Sequence, residues 1–324
     1  MILAIILVIL TIPLIFSRGG EQCIFPKNGS LRIRGLLALL IVFHHCSYFL
    51  HINWYSILFE DIGMWICGMF FMQSGYGLYT NRLKYRKMSF LLYFRKRIKA
   101  LLCDYVIISC IYVMCTILTH RFQVHSLLSG LLHGNTTQIL PYSWFIIELI
   151  MLYLFSFLSF KTRITITLTI IASFLLMVGM YKLGFGCEWW MSTMAYPLGM
   201  IVKRLEAVSI YNKYHKIVAL SIALITIGLS VVNVLYDNIF VWLVNILFVA
   251  YTLNYQMARI NIPFKILDYF ASISNYIYMF QGFAIVLIMP LIATNGLAYL
   301  LITLFITISL AISYNTIKNR LSNV

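Results

Sequence analysis

The chain has 324 residues, of which 62% are hydrophobic and only 10% charged, with a mean hydropathy of +0.92. A soluble domain needs a surface richer in charge than this, so an ordinary water-soluble fold is excluded and lipid must solvate most of the chain. The formal net charge of +15 would suggest nucleic acid in a soluble protein, but here the basic residues sit between long apolar stretches, as at a membrane surface.

A hydrocarbon core about 30 Å thick is crossed by about 20 apolar helical residues. That ruler places spans near residues 1–16, 33–50, 62–80, 99–119, 143–160, 164–182, 187–202, 216–236, 239–257, 267–290 and 297–316. The first and seventh are short. Residues 1–16 lack a basic leading region and a small-residue cleavage site, and Arg18 follows rather than precedes them, so they read as a retained helix. No polar stretch is long enough for a domain outside the membrane. The expectation is therefore an all-α integral membrane protein, residues 1–324 forming one polytopic bundle of about eleven helices.

Cytoplasmic loops retain Lys and Arg. With the N-terminus outside and the C-terminus inside, only Arg121 and Lys182 of the 24 basic residues fall on the outer face. The seven cysteines (Cys23, Cys46, Cys67, Cys103, Cys110, Cys115 and Cys187) show neither a C-x-x-C motif nor metal-ligand spacing, and read as small core residues.

Polar groups in hydrocarbon are costly and usually face the bundle interior or a wet cavity. The second span carries Arg34 at its cytoplasmic mouth and His44 and His45 near its far end. An eleven-residue step turns a helix through about 1100°, three turns plus about 20°, so Arg34 and His45 project from one face about 16 Å apart in rise. His44 lies about 80° off that line. Spacing alone leaves two readings: a ligand gripped at two points, or a topological anchor and a satisfied polar residue. The third span ends in Phe70-Phe71-Met72-Gln73-Ser74-Gly75-Tyr76-Gly77-Leu78, where small residues favour close helix packing. The segment from Arg82 to Lys99 holds eight basic residues, including Arg95, Lys96 and Arg97. Such a run is either a topology determinant and lipid contact or a cradle for phosphates. The connection between His120 and Tyr142 carries His120, His125 and His133 at spacings that match no standard metal site, and leaves room for a short interfacial helix. In the fifth span Glu148 shares a face with Trp144, four residues earlier. Asp104, Asp268, Asn275 and Gln281 complete the polar set, the two aspartates near the cytoplasmic boundary.

Taken in order, these pieces resemble the acyltransferase-3 family of integral-membrane O-acyltransferases, over a core of about residues 30–320 preceded by one extra helix. Arg34 through His45 resembles that family's Arg, ten residues and His. Phe70-Phe71-x-x-Ser74-Gly75-Tyr76 resembles its third-helix motif, followed by a basic segment. Ser143-Trp144-Phe145 with Tyr153 is similar to the start of a later span, and Ser274-Asn275-Tyr276-Ile277-Tyr278 to a Ser-x-x-Ile-Tyr stretch near the end. The chain departs from the pattern at Gly68, where Asp is common, at Ala100 and Cys103-Asp104, where Arg and Pro are common, and at Gln281, where a His is frequent.

The resemblance implies transfer of an acyl group, usually acetyl, from cytoplasmic acetyl-CoA or another acyl-CoA to a hydroxyl of a carbohydrate or glycolipid acceptor. It implies a multi-pass protein of a bacterial cytoplasmic membrane, with no metal and no nucleic-acid partner. Arg34, Arg95, Lys96 and Arg97, with Ser74 and Tyr76, would then serve the donor. His45, with His44 beside it and Glu148 to orient it, would supply general-base chemistry, for which imidazole is suited. Trp144, Gln281 and Asn275 would serve the acceptor. Direct transfer and a His-bound acyl group both stay open. A precursor transporter or flippase is the first alternative, but no inverted repeat is visible. A glycan polymerase is the second, but the outside loops are short.

Overall fold

The computed structural model describes residues 2–16, 25, 27–50, 52–259, 265–292 and 296–322; Arg18 and Cys23 lie outside the described residues. Regular structure among these residues is entirely helical. The helices are α1 (Ile2–Ile15), α2 (Lys27–Ser47), α3 (Asn53–Phe59), α4 (Gly63–Thr80), α5 (Arg82–Arg86), α6 (Phe90–Arg97), α7 (Lys99–Leu118) and α8 (Val124–His133). They continue as α9 (Trp144–Phe160), α10 (Thr165–Lys182), α11 (Ala195–Leu205), α12 (Ser209–Tyr236), α13 (Ile239–Met257), α14 (Lys265–Ser272), α15 (Ser274–Ile292) and α16 (Gly296–Ser322).

Among the described residues, seven helical stretches are long and apolar enough to cross a membrane, in α2, α3–α4, α7, α10, α12, α13 and α16. Ile5–Ile15 and Trp144–Phe160 are apolar but shorter. Large apolar side chains on α7, α10 and α12, such as Ile107, Met114, Leu175 and Leu235, point outward. Lipid accounts for that exposure where water would not. The cysteine reading needs correction for the same reason. Cys46 and Cys67 are buried, but Cys103, Cys110 and Cys187 are exposed and Cys115 is half-buried.

Two of the expected spans take another form. Residues 187–202 are a 3-10 turn, Cys187–Trp189, followed by the eleven-residue α11. Pro197 has no N–H to give to a helix interior, so it is accommodated only in a first turn, and α11 starts two residues before it. At about 1.5 Å per residue α11 is too short to cross alone. Residues 267–290 are broken between α14 and α15, where the Ser272 and Ser274 hydroxyls donate to the Tyr269 and Ala271 carbonyls at 2.7 and 2.9 Å. Serine side chains that bond nearby carbonyls compete with a continuous helix. The connection after His120 contains α8, which Gly134 ends in a left-handed conformation at φ 75°.

The closest packing in the bundle joins α4 to α11. A Cβ on Gly75 would overlap the Tyr196 carbonyl, and one on Gly199 would overlap the Met72 carbonyl. Each helix thus offers its glycine to the backbone of the other, the small-residue contact that replaces hydrophobic drive inside lipid. α2 packs against α14, α15 and α4. Basic segments distant in sequence converge at one end of the bundle. Lys161 after α9 donates to the carbonyls of Arg86 and Met88 at 2.8 and 2.6 Å, and Arg82, Arg163 and Arg204 share one cavity. We call this the basic end, and the end carrying His45 the histidine end.

Candidate active site

At the histidine end the last turn of α2 brings His44 and His45 to a cavity of about 650 Å³. The two imidazoles, 4.9 Å apart between centroids, have different surroundings. His44 is saturated: Nδ1 lies 2.9 Å from the Phe59 carbonyl and Nε2 3.2 Å from the Tyr48 hydroxyl. Its ring occupies the space that a Cβ on Gly63 would take, so it pins the end of α3 and the start of α4.

His45 is only 5% exposed yet lines the cavity. Its ring stacks on Tyr142 at 3.8 Å between centroids and 21° between planes. Tyr142 holds that position in a left-handed conformation, φ 63°, uncommon for a bulky residue, and its carbonyl accepts from the Tyr278 hydroxyl at 2.5 Å. Gln281 of α15 is the side chain that reaches the His45 imidazole. His45 Nδ1 and both amide atoms of Gln281 are nevertheless buried with no hydrogen-bond partner of good geometry. Three neighbouring orphaned polar atoms are costly in a bundle interior, and such groups mark places where a ligand or water completes the set.

The cavity wall combines aromatic faces with acids. Trp144, Tyr142, Trp242 and Tyr48 line it, together with Glu60, Asp61 and Glu188. Flat rings with hydrogen-bonding groups between them suit a polyhydroxylated ligand better than a purely apolar one. The His45 imidazole, held in a fixed plane and lining such a cavity while its Nδ1 stays buried, is placed to accept a proton from a bound hydroxyl. Residues 32–316 match the family model described as an acyltransferase domain. The chain belongs to the acyltransferase-3 family. No curated protein and no solved structure matches it.

Within this family member, the stripe expected on α2 is matched by one on α9, which runs the opposite way. His45 meets Tyr142, just before α9, while Arg34, eleven residues earlier, lies within electrostatic range of Tyr153, eleven residues later. Ser74 of α4 and Arg97 of α6 reach the same Tyr153. Arg97 also donates to the Tyr85 hydroxyl and sits over that ring, 5.0 Å from its centroid. Ser74 is thus the neighbour of Tyr153, and the Arg34 and Arg97 charges lie within electrostatic range of it. Arg34 does not line the histidine cavity, so the two ends of the stripe meet different surroundings.

Other expected residues go elsewhere. Arg95 and Lys96 are exposed on the last turn of α6. The Tyr76 hydroxyl is committed to Glu206 at 2.5 Å, which also holds Lys203 at 2.5 Å. Glu148 does not orient His45: it is fully buried and accepts from Thr193 at 2.6 Å, with Cys67 and Tyr278 as neighbours and its second oxygen unpartnered. It stands behind the cavity wall to which Cys67 belongs. Asn275 is exposed at the start of α15, two turns from Gln281 towards the basic end, so the structure separates it from Trp144 and Gln281. His133 lines the cavity, whereas His120 and His125 do not. Sequence reading missed Tyr142 and the acids Glu60, Asp61 and Glu188. The one signal for Tyr142 is its place between Pro141 and the Ser143-Trp144-Phe145 motif.

Proposed function

We propose that this acyltransferase moves an acyl group, acetyl in the first instance, from acyl-CoA to a hydroxyl of a carbohydrate or glycolipid acceptor of the cell envelope. The basic end faces the cytoplasm, which the distribution of Lys and Arg supports, and the N-terminus lies outside. Arg34 and Arg97 take the phosphates of the donor in bidentate contacts, with Arg95 and Lys96 adding to the attracting field. The pantetheine arm extends along the α2 and α9 stripes to His45. The rise between Arg34 and His45 is about 16 Å, a length that such an arm covers when extended.

The acceptor occupies the aromatic cavity with its hydroxyl against His45. Imidazole takes the hydroxyl proton as the oxygen attacks the thioester carbonyl. Collapse of the tetrahedral species breaks the carbon–sulfur bond, and the proton passes from His45 to the departing CoA thiolate. The ester and free CoA leave, and the base is restored. Gln281 holds the imidazole, and Tyr142 fixes its plane.

The observation that carries this reading is the orphaned nitrogen of a buried His45 beside a cavity large enough for a sugar. Membranes containing the chain should transfer labelled acetyl from acetyl-CoA to envelope glycan, and H45A membranes with equal protein should not. Undiminished labelling with H45A would overturn the assignment.

A further inference from the structure

The basic end holds a second cavity, of about 460 Å³, between α5, the turn joining α9 to α10, and α11. Four guanidinium side chains from three separate stretches of sequence line it: Arg82 and Arg86, Arg163, and Arg204. Gathering four like charges is unfavourable unless something of opposite sign joins them. Among the described residues no carboxylate does. The acids that form ion pairs are taken elsewhere, Asp268 by Arg32, Glu206 by Lys203 and Asp104 by Lys318.

Two further features raise the positive potential and order the site. The first turn of α10, residues 165–167, forms part of the wall, and the intrahelical ladder begins only at Leu168, whose N–H donates to Ile164 at 3.0 Å. The N–H groups before it have no helical acceptor and point out of the positive end of an eighteen-residue helix. The Arg82 guanidinium carbon lies over the Tyr79 ring, 4.2 Å from its centroid, and both residues line the cavity. Charges that only fix topology need no cavity. Lys84 and Lys87 are of that kind: Arg86, Arg163 and Arg204 share their exposure but line the cavity, whereas the two lysines lie outside its wall.

We infer that this cavity binds a phosphate-bearing anion of diphosphate or phosphodiester size, at a site distinct from both the histidine cavity and the Arg34–Tyr153 cluster. The inference does not rest on the acyl-transfer reading. Two sources carry this chemistry at a cytoplasmic face: the headgroup of an anionic phospholipid and the nucleotide end of a CoA ester.

The test uses the full chain purified in uncharged detergent, with labelled inorganic pyrophosphate as probe in equilibrium dialysis at low salt. R163Q/R204Q should weaken binding at least about tenfold, since it removes two charge-assisted forks. R163K/R204K, which keeps the charge and loses the fork, should fall between it and the parent. K84Q/K87Q should stay within about twofold, because exposed charges outside the cavity add little. Equal affinity in the parent and R163Q/R204Q would overturn the site, and so would an equal loss in K84Q/K87Q, which would mean a diffuse field. If R163Q/R204Q elutes as aggregate, the Lys variant decides alone: unchanged affinity overturns, and a loss supports. Displacement of the probe by short-chain phosphatidylglycerol but not by CoA assigns the lipid source, and the reverse assigns the nucleotide. Failure of both to displace it at millimolar concentration overturns a biological role.

Discussion

Two polar clusters, one at each end of the bundle, treat their side chains in opposite ways. At the basic end the Asp104 cluster is saturated with partners: Asp104 accepts from Lys318 at 2.6 and 2.8 Å and from Tyr314 at 2.9 Å, while Tyr276 lies 3.0 Å from the same Lys318. At the histidine end His45 and Gln281 are buried with polar atoms left open. A saturated network stiffens the fold and leaves nothing for a ligand to gain. An open set beside a cavity stores that gain for the ligand. The adjacent pair His44 and His45 repeats the contrast within a single turn, one ring bonded through both nitrogens and the other not.

Substitutions in saturated and in open clusters should therefore divide between stability and activity. The largest effect falls on His45. H45A should lower the rate of acyl transfer by about 10²–10⁴-fold, the usual contribution of a positioned general base, with thermal stability little changed. A rate within tenfold of the parent would place the chemistry elsewhere. Next comes Gln281. Q281L should lower kcat about tenfold, because it replaces the polar neighbour of the His45 imidazole by an apolar one, with KM for the acyl donor unchanged. A rise in KM at constant kcat would make Gln281 a binding group and not a positioning one. H44A should show the opposite balance: a midpoint of thermal unfolding lowered by the loss of two contacts worth about 1 kcal/mol each, and a rate reduced less than tenfold. Larger loss of rate than of stability would erase the distinction between the two histidines.

The stripe on α2 was legible in the sequence, because helical periodicity is local; the division between saturated and open groups was not. Eleven residues return a helix to nearly the same face, so Arg34 and His45 could be placed on one stripe without knowing their neighbours. The neighbours themselves were not legible. Whether Glu148 or Gln281 reaches His45 depends on how α9 and α15 are rotated about their own axes, and that follows from packing over the whole bundle. Hence Glu148, the more conspicuous residue in an apolar span, turned to Thr193, while the plainer Gln281 met the imidazole. Hydropathy located the apolar stretches but not their interruptions. Pro197 and the serines at 272 and 274 act through backbone hydrogen bonds, which an averaged hydropathy does not register. Glu60 and Asp61 fell between two expected spans and Glu188 inside the expected span 187–202, and only the fold brings the three to one cavity.

The smallest effect on activity is expected at Asp104, and it tests the saturated cluster directly. Asp104 joins α7 to α16 through Lys318, with the aspartate side chain 10% and the lysine 37% exposed. Solvent at the lysine screens the pair, so its loss costs less than that of a sealed ion pair. D104N keeps the shape, removes the charge and leaves Lys318 with weaker acceptors. It should destabilise the purified chain by about 1–2 kcal/mol, read as a lower midpoint in thermal unfolding, while the transfer rate stays within twofold. D104L/K318M, which removes both partners, should recover part of that loss, because no unpaired charge is left against the helix interface. If D104N instead lowered the transfer rate tenfold at unchanged stability, Asp104 would itself be a group that the reaction uses, and saturation would no longer distinguish framework from site.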